Sequence, residues 1–287
     1  MKISGFSFVR NAVKFDYPFL ESISSLLPIC DELVIAVGRS DDGTLERIRK
    51  IGSPKIAIIE TVWDDALRTG GRVLAQQTNV ALDRVTGDWA FYLQADEVLH
   101  EAELPIIREA MIRYQTDTQV EGLLFNYKHF YGSYDYVGAS RQWYRREIRI
   151  VRTGIGVRSW GDAQGFRIDG RKLRVKAVEA LIYHYGWVKS PVTQMAKQRS
   201  FNRLWHSDRW VEEKLGQSGS FDYDVGTKLE RFRGSHPAVM RDRIKSADWE
   251  FEYDPSRVKA SFKDGLLEWI ESKTGVRIGE YKNYKLI

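Results

Sequence analysis

Residues 87–97 read Gly87-Asp88-Trp89-Ala90-Phe91-Tyr92-Leu93-Gln94-Ala95-Asp96-Glu97, and they join a buried strand to a polar cluster. The apolar run from Trp89 to Leu93 is typical of a strand covered on both faces. Residues 94–97 end that run, and a helical segment is predicted from Glu101. Polar groups at the carboxyl end of a buried strand lie where open α/β sheets bind ligands. The stretch therefore indicates a ligand site, unless its two acidic residues only end the strand and begin a helix.

Strands and helices alternate through the first 113 residues. Strands are predicted over Ile3–Val9, Glu32–Val37, Lys55–Glu60 and Trp89–Leu93, and helices over Tyr17–Leu27, Leu45–Ile51, Val73–Val85 and Glu101–Arg113. The unbroken apolar run from Leu33 to Val37 marks a central parallel strand, covered on both faces. This alternation implies an α/β fold with a largely parallel central sheet, right-handed crossovers and flanking helices.

The second half of the chain is less regular. Further strands are predicted over 122–127, 131–136, 143–151 and 175–184, one long helix over 194–215, and shorter helices over 236–244 and 262–274. The residues Gln217-Ser218-Gly219-Ser220 form a flexible break within this half. We therefore predict one large domain over residues 1–188 and a mainly helical C-terminal extension over residues 189–287.

The composition describes a soluble globular protein with a basic balance. Hydrophobic residues make up 43% and charged residues 29% of the 287 residues, and the net charge is +5. A positive charge favours anionic partners such as nucleotide diphosphates, phospholipid surfaces or nucleic acid, without choosing among them. The single cysteine, Cys30, excludes an internal disulfide and agrees with a reducing compartment. Because the sequence shows no signal peptide and no apolar run of membrane-spanning length, we expect a cytoplasmic protein with at most peripheral membrane contact.

Several short motifs carry a family resemblance. They are Phe8-Val9-Arg10-Asn11, Asp31 to Val37, Ser40-Asp41-Asp42-Gly43-Thr44, Gly87-Asp88-Trp89 and Gln94-Ala95-Asp96-Glu97. Their order and spacing over roughly the first hundred residues resemble a family 2 glycosyltransferase of the bacterial cell-surface glycan type. The resemblance implies a GT-A fold with a nucleotide-binding and an acceptor-binding half. It also implies transfer of a sugar from a nucleotide-sugar donor to a glycan or lipid-linked acceptor, usually with Mn²⁺ or Mg²⁺.

The same resemblance implies a set of residues around the donor. They are Arg10, Asn11, Val37, Arg39, Asp42, Arg72, Gln94, Ala95 and Asp96. Two positions depart from the family pattern, because Gln94 replaces the first aspartate of the acidic motif and Val37 replaces an aspartate that binds the base. Asp96 remains as the metal ligand, since Mg²⁺ and Mn²⁺ prefer carboxylate oxygens.

A late histidine completes the metal site in many such folds, and His184 is the candidate here. It ends a predicted strand between Tyr183 and Tyr185, whereas His100, His129, His206 and His236 lack comparable context. The alternative is a packed or hydrogen-bonded histidine with no ligand role.

An inverting transferase also needs a carboxylate that takes the proton of the acceptor hydroxyl. Asp162, in the Trp160-Gly161-Asp162 loop, is one candidate and Glu97 is its rival. The structural alternatives are a turn former for Asp162 and a helix cap for Glu97.

Two other functions stay open at this point. A nucleotidyltransferase on a similar scaffold needs a glycine-rich phosphate loop after the first strand, and Arg10-Asn11-Ala12-Val13-Lys14 has no glycine. A basic binding protein for nucleic acid or anionic lipid, on a degenerate transferase fold, is favoured by Gln94 and Val37. The transferase interpretation expects no nucleic-acid partner.

Overall fold

The structure is a computed structural model that describes residues 1–64, 67, 69–216, 218–223, 226–258 and 262–287. It is a mixed α/β protein with a largely parallel central sheet flanked by helices, as the sequence predicted. The strands within the described residues are β1 (Ile3–Val9), β2 (Glu32–Gly38), β3 (Ile56–Thr61), β4 (Trp89–Tyr92), β5 (Glu97–Leu99), β6 (Gly122–Tyr131), β7 (Tyr136–Gly138), β8 (Arg146–Arg152), β9 (Val157–Trp160), β10 (Gly165–Ile168), β11 (Arg171–Lys172), β12 (Arg174–Trp187), β13 (Leu229–Arg231) and β14 (Lys285–Leu286). The α-helices are α1 (Phe19–Leu26), α2 (Thr44–Arg49), α3 (Arg72–Leu82), α4 (Leu104–Arg113), α5 (Pro191–Asn202), α6 (Asp208–Leu215), α7 (Arg241–Lys245) and α8 (Phe262–Thr274).

The central sheet has a parallel half and a mixed half. Strands β3, β2, β1 and β4 run parallel in that spatial order. Strand β8 is antiparallel to both β4 and β6, and β12 is parallel to β6. The carboxyl ends of β1, β2, β4, β6 and β12 therefore meet at one edge of the sheet.

The core lies on both faces of this sheet. Helices α1 and α4 pack Phe19, Ile23, Ile107 and other buried side chains against one face. Helix α3 and the small β9–β10–β11 sheet cover the other face through residues such as Val73 and Phe166. Because β2 is buried along nearly its whole length, its apolar run occupies the central position that the sequence predicts.

Three predicted elements differ from the structure. Residues 97–99 form β5, antiparallel to β12, so Glu97 begins a strand and the helix-cap interpretation is wrong. The predicted strand over 131–136 is absent from the described residues, since β6 continues to Tyr131 and β7 only starts at Tyr136. The long helix over 194–215 is divided into α5 and α6, because the Ser207 side chain accepts a hydrogen bond from Trp210 N (3.3 Å) and caps a second helix.

The C-terminal extension is largely helical but adds strands to the main sheet. Strand β13 pairs with β7, and β14 pairs in parallel with the start of β12. No helix within the described ranges combines the length and the apolar character needed to cross a membrane.

Candidate active site

The carboxyl edge of the sheet brings together residues far apart in sequence. Strand β4 leads into Asp96, and β12 carries His184, whose Nε2 lies 3.6 Å from Asp96 Oδ2. The backbone fixes this pair, since Tyr185 N donates to Asp96 O (2.8 Å). Gly186 makes the close approach feasible, because a Cβ there would lie 2.6 Å from Asp96 Oδ2. The structure thus places two predicted site residues side by side.

His129 orients the His184 ring. It lies opposite His184 in the β6–β12 register, and its Nε2–H donates to Tyr144 O (2.8 Å). Burial lowers the pKa of His129 to about 3, with a further contribution from His184, so the His129 ring is neutral and its Nδ1 is an acceptor. His184 Nδ1–H therefore donates to His129 Nδ1 (3.1 Å), which leaves Nε2 facing Asp96. A histidine that binds a metal through Nε2 keeps a proton on Nδ1, as this hydrogen bond requires.

Two buried lysines also neighbour Asp96. Lys197 Nζ lies 3.7 Å from Asp96 Oδ2 and donates to Gly186 O (2.7 Å), while Lys189 Nζ donates to Phe15 O (3.0 Å). Burial lowers the pKa of both lysines. Burial alone would raise the pKa of Asp96, but the nearby His184, Lys197 and Lys189 outweigh it and hold that pKa well below its usual value. Asp96 is thus an anion among basic side chains.

Two side-chain donors suited to a divalent metal lie at this position. Asp96 Oδ2 and His184 Nε2 supply a carboxylate and an imidazole, and the Nδ1 hydrogen bond of His184 keeps Nε2 directed toward Asp96. No group of three or more His, Cys, Asp and Glu side chains within the described residues is arranged to hold a metal. The remaining ligands of a metal here would have to come from substrate or water.

Glu97, one of the two predicted bases, is fully buried. Arg149 donates to both of its carboxylate oxygens (2.9 and 2.7 Å), and the Tyr127 hydroxyl donates to Oε1 (2.7 Å). Gln94 N adds a fourth bond, to Oε2 (3.0 Å). A carboxylate with this many donors and no exposure cannot meet an acceptor hydroxyl, so the placement favours its rival.

That rival, Asp162, is half-buried in the turn between β9 and β10. Its Oδ1 accepts from Gln164 N (3.4 Å), which agrees with a turn-forming role. Burial raises its pKa, and Gly71, at the start of α3, lies against its Cβ. A carboxyl group with a raised pKa suits general-base work near neutral pH.

The predicted donor-binding residues lie at or just beyond the carboxyl ends of β1, β2 and β4, except Arg72, which begins α3, and they differ in exposure. Arg39 and Arg72 are exposed, whereas Arg10, Asn11, Asp42, Gln94 and Ala95 are half-buried. Arg10 Nε donates to Arg39 O (3.3 Å), which joins the ends of the first two strands. Val37 is buried in the core and paired with both neighbouring strands, so its side chain is not available to a ligand.

Asp42 and Trp63 lie near the same edge of the sheet, beside the ends of β1 and β2. Asp42 accepts from Lys14 N (2.8 Å) and Thr44 N (3.1 Å), which ties the loop after β1 to the start of α2. These bonds order the turn before α2, whose N-cap residue is Gly43. The Trp63 indole packs on Gly38 and under the Arg10 guanidinium (5.1 Å), and its Nε1 has no hydrogen-bond partner in the described chain.

Glu147 is a buried carboxyl that the sequence did not single out. It is 6% exposed, and its Oε2 has no partner among the residues that the structure describes. Burial, together with the negative charges of Glu97 and Asp162, raises its pKa to about 8 against the opposing effect of Arg149. Glu147 is therefore protonated in the folded protein at neutral pH.

We expect Glu147→Gln to remove part of the pH dependence of stability. The folded-state pKa of about 8 exceeds the ordinary 4.5, so the folded protein binds the extra proton between these values. The stability from this group is complete below the lower value and is lost as the pH rises through the higher one. The free energy of unfolding of the wild type should fall, relative to the variant, by about 1.4 kcal/mol per pH unit in this window. Urea unfolding of both proteins across the window measures the difference, and parallel pH profiles would contradict the assignment.

No protein-family model matches this chain, and no curated protein matches it. Among solved structures, TarS from S. aureus is 15% identical over 76% of this chain, with a TM-score of 0.46. This chain spans 42% of that TarS chain. TarS 1–349 in complex with UDP-GlcNAc is 14% identical, with 76% of this chain and 71% of that chain covered and a TM-score of 0.41.

A second protein found by the same comparison is glucosyl-3-phosphoglycerate synthase from Mycobacterium tuberculosis, solved with Mn²⁺, UDP and phosphoglyceric acid. It is 17% identical, with 45% of this chain and 43% of that chain covered and a TM-score of 0.28. The function of the present chain is argued below from its own residues.

Proposed function

We propose that this protein is a GT-A glycosyltransferase that moves a sugar from a nucleotide-sugar donor to a glycan or lipid-linked acceptor, with inversion and with a divalent metal. The observation that carries the proposal is the Asp96–His184 pair, with 3.6 Å between Oδ2 and Nε2, at the carboxyl edge of β4 and β12. Arg10 and Arg39 lie at the ends of β1 and β2 on the same edge. This is where an open α/β sheet binds a nucleotide.

The chain's own residues have distinct parts in this proposal. Asp96 Oδ2 and His184 Nε2 would hold Mn²⁺ or Mg²⁺, which when bound neutralises charge on the diphosphate leaving group. Lys197 and Lys189 lie beside the same carboxylate and help to lower its pKa. Asp162 takes the proton of the acceptor hydroxyl, because it is the more open of the two candidate bases.

Donor binding then requires some opening of the site. Asp96 is 9% exposed, and Lys197 shields it from the side of α5. We propose that α5 shifts when the donor enters, so that Lys197 turns from Asp96 toward the diphosphate. A basic side chain that changes partner in this way keeps the buried charges paired in both states.

Thermal unfolding with and without Mn²⁺ tests the proposal, using UDP-, GDP- and dTDP-sugars. We expect one nucleotide class to stabilise the wild type by about 2.7 kcal/mol at a hundredfold excess over its Kd, roughly 4 °C in Tm. That stabilisation should depend on Mn²⁺, and His184→Ala should lose the Mn²⁺-dependent part. His206→Ala, which changes an exposed histidine, is the matched control.

The outcomes separate the candidate functions. Mn²⁺ titrations that overlay for the wild type and His184→Ala would show that His184 is only structural. If no nucleotide-sugar has an effect and polynucleotides bind with a steep salt dependence, the protein is a basic binding protein instead.

A further inference from the structure

A basic groove lies at the opposite edge of the sheet from the candidate active site. Strand β12 begins at Arg174 and reaches His184 ten residues later, so the two ends are roughly 30 Å apart at the usual rise per residue. The groove has a volume of about 680 Å³ and is lined by Arg171, Lys172, Arg174, Tyr284 and Lys285. We call it the amino-edge groove.

Four of the five residues that line the amino-edge groove are cationic, and none is acidic. Glu121 lies beside it, 4% exposed at its side chain, and accepts two bonds from Arg171 (2.8 Å each) and one from Arg174 Nη2 (2.9 Å). Glu121 and the nearby Asp169 supply two carboxylates against four cations, which leaves two uncompensated positive charges. The groove therefore attracts an anion.

The arginines of the groove are held in place, but their guanidinium groups are not fully hydrogen-bonded. Glu121 fixes both guanidinium groups, yet half of the Arg171 side chain is exposed. Arg174 Nε is buried and has no hydrogen-bond partner in the part of the chain that the structure describes. Guanidinium donors fixed in this way suit the oxygen atoms of a phosphate group.

Exposed apolar side chains border the groove. Tyr281 is 77% exposed, and Lys172 Nζ lies 5.2 Å from its ring. Leu286, which follows Lys285 in β14, is 53% exposed. Tyrosine and leucine beside lysines are typical of a surface that enters the interface of an anionic bilayer.

We propose that the amino-edge groove docks the protein on an anionic membrane, with a phospholipid phosphate in the groove and Tyr281 and Leu286 in the interface. A soluble phosphate or a nucleic acid would satisfy the cations but would leave Leu286 in water. A bilayer satisfies both, since each basic residue near its surface and each buried apolar side chain favours binding. The proposal does not depend on the glycosyltransferase function, because it involves the other edge of the sheet.

Vesicle co-sedimentation tests the proposal, with phosphatidylcholine vesicles that contain or lack phosphatidylglycerol. We expect the wild type to bind only the anionic vesicles and to dissociate as salt rises. The double variant Lys172→Glu/Lys285→Glu should bind about a hundredfold more weakly, because the local charge changes sign. Lys50→Glu/Lys214→Glu has the same change of net charge at exposed sites elsewhere and should bind as the wild type does. Equal losses in both double variants would overturn the proposal, since binding would then follow net charge alone.

A second comparison identifies the source of the phosphate. The double variant Tyr281→Ser/Leu286→Ser should weaken vesicle binding about tenfold and leave the affinity for pyrophosphate unchanged. Pyrophosphate binding in the groove without any vesicle binding would overturn the membrane assignment in favour of a soluble ligand. Tighter binding to polynucleotides than to vesicles would overturn it in favour of nucleic acid. Circular dichroism of each variant confirms that the fold is retained.

Discussion

Asp96→Asn is expected to lower sugar transfer by about a hundredfold or more, because one preorganised electrostatic group at a developing charge contributes that much. The substitution keeps the shape of the side chain and removes a carboxylate that lies within 4 Å of both His184 and Lys197. The measurement is the release of nucleoside diphosphate from the donor that stabilises the wild type. Affinity for Mn²⁺ without nucleotide should fall as well.

Asp83→Asn is the control for this experiment. Asp83 is exposed and pairs with Arg158 far from the carboxyl edge, so its variant should keep the wild-type rate. Near-ultraviolet circular dichroism of Asp96→Asn shows whether the packing around Lys197 and Lys189 survives. A folded Asp96→Asn protein with unchanged turnover would remove this carboxylate from the mechanism and, with it, the proposed metal site.

Arg149→Met should destabilise the fold by about 3–5 kcal/mol, roughly 5–8 °C in Tm. Arg149 and Glu97 are both 0% exposed and share two hydrogen bonds, so the substitution leaves a buried carboxylate without its counter-ion. Glu97→Gln should have a similar effect for the converse reason. Urea unfolding of the single and double variants gives the coupling between the two side chains.

Arg113→Met provides the matched surface comparison. Arg113 pairs with Glu109 at 2.6 Å on an exposed helix face, and such pairs contribute less than about 1 kcal/mol. If Glu97→Gln kept full stability and lost only activity, Glu97 would be catalytic and Asp162 would lose its proposed role. A large stability loss in both single variants supports the structural role of Glu97.

The parallel half of the sheet was predictable because its strands are local patterns. The apolar runs of β1, β2 and β4 are short, bounded by turn residues and separated by helical periods, so each strand is recognisable from its own neighbourhood. β5 escaped prediction, since three residues after a polar turn carry no periodicity of their own. They form a strand only because β12 supplies a partner edge.

The candidate site was predictable in part for the same reason. Asp96 and His184 stand at predicted strand ends, and the structure brings them together. His129 was passed over because its importance lies in a pairing across two strands, which no spacing within one segment reveals. Lys197 lies in the predicted polar helix over 194–215 and Lys189 just before it, and only tertiary packing buries them. The burial of Glu97 likewise depends on Arg149, fifty-two positions along the chain.

The pairing of β12 has a consequence for how the chain acquires its shape. β12 bonds to β5, β6 and β14, which come from the first, middle and last parts of the sequence. Contacts between such distant segments close late, because loop entropy must be lost before they form. During synthesis, the start of one edge of β12 would therefore stay unpaired until residues 285–286 leave the ribosome. Until then the start of that edge would be open to pairing with other chains, and a holding chaperone would have its greatest value at that moment.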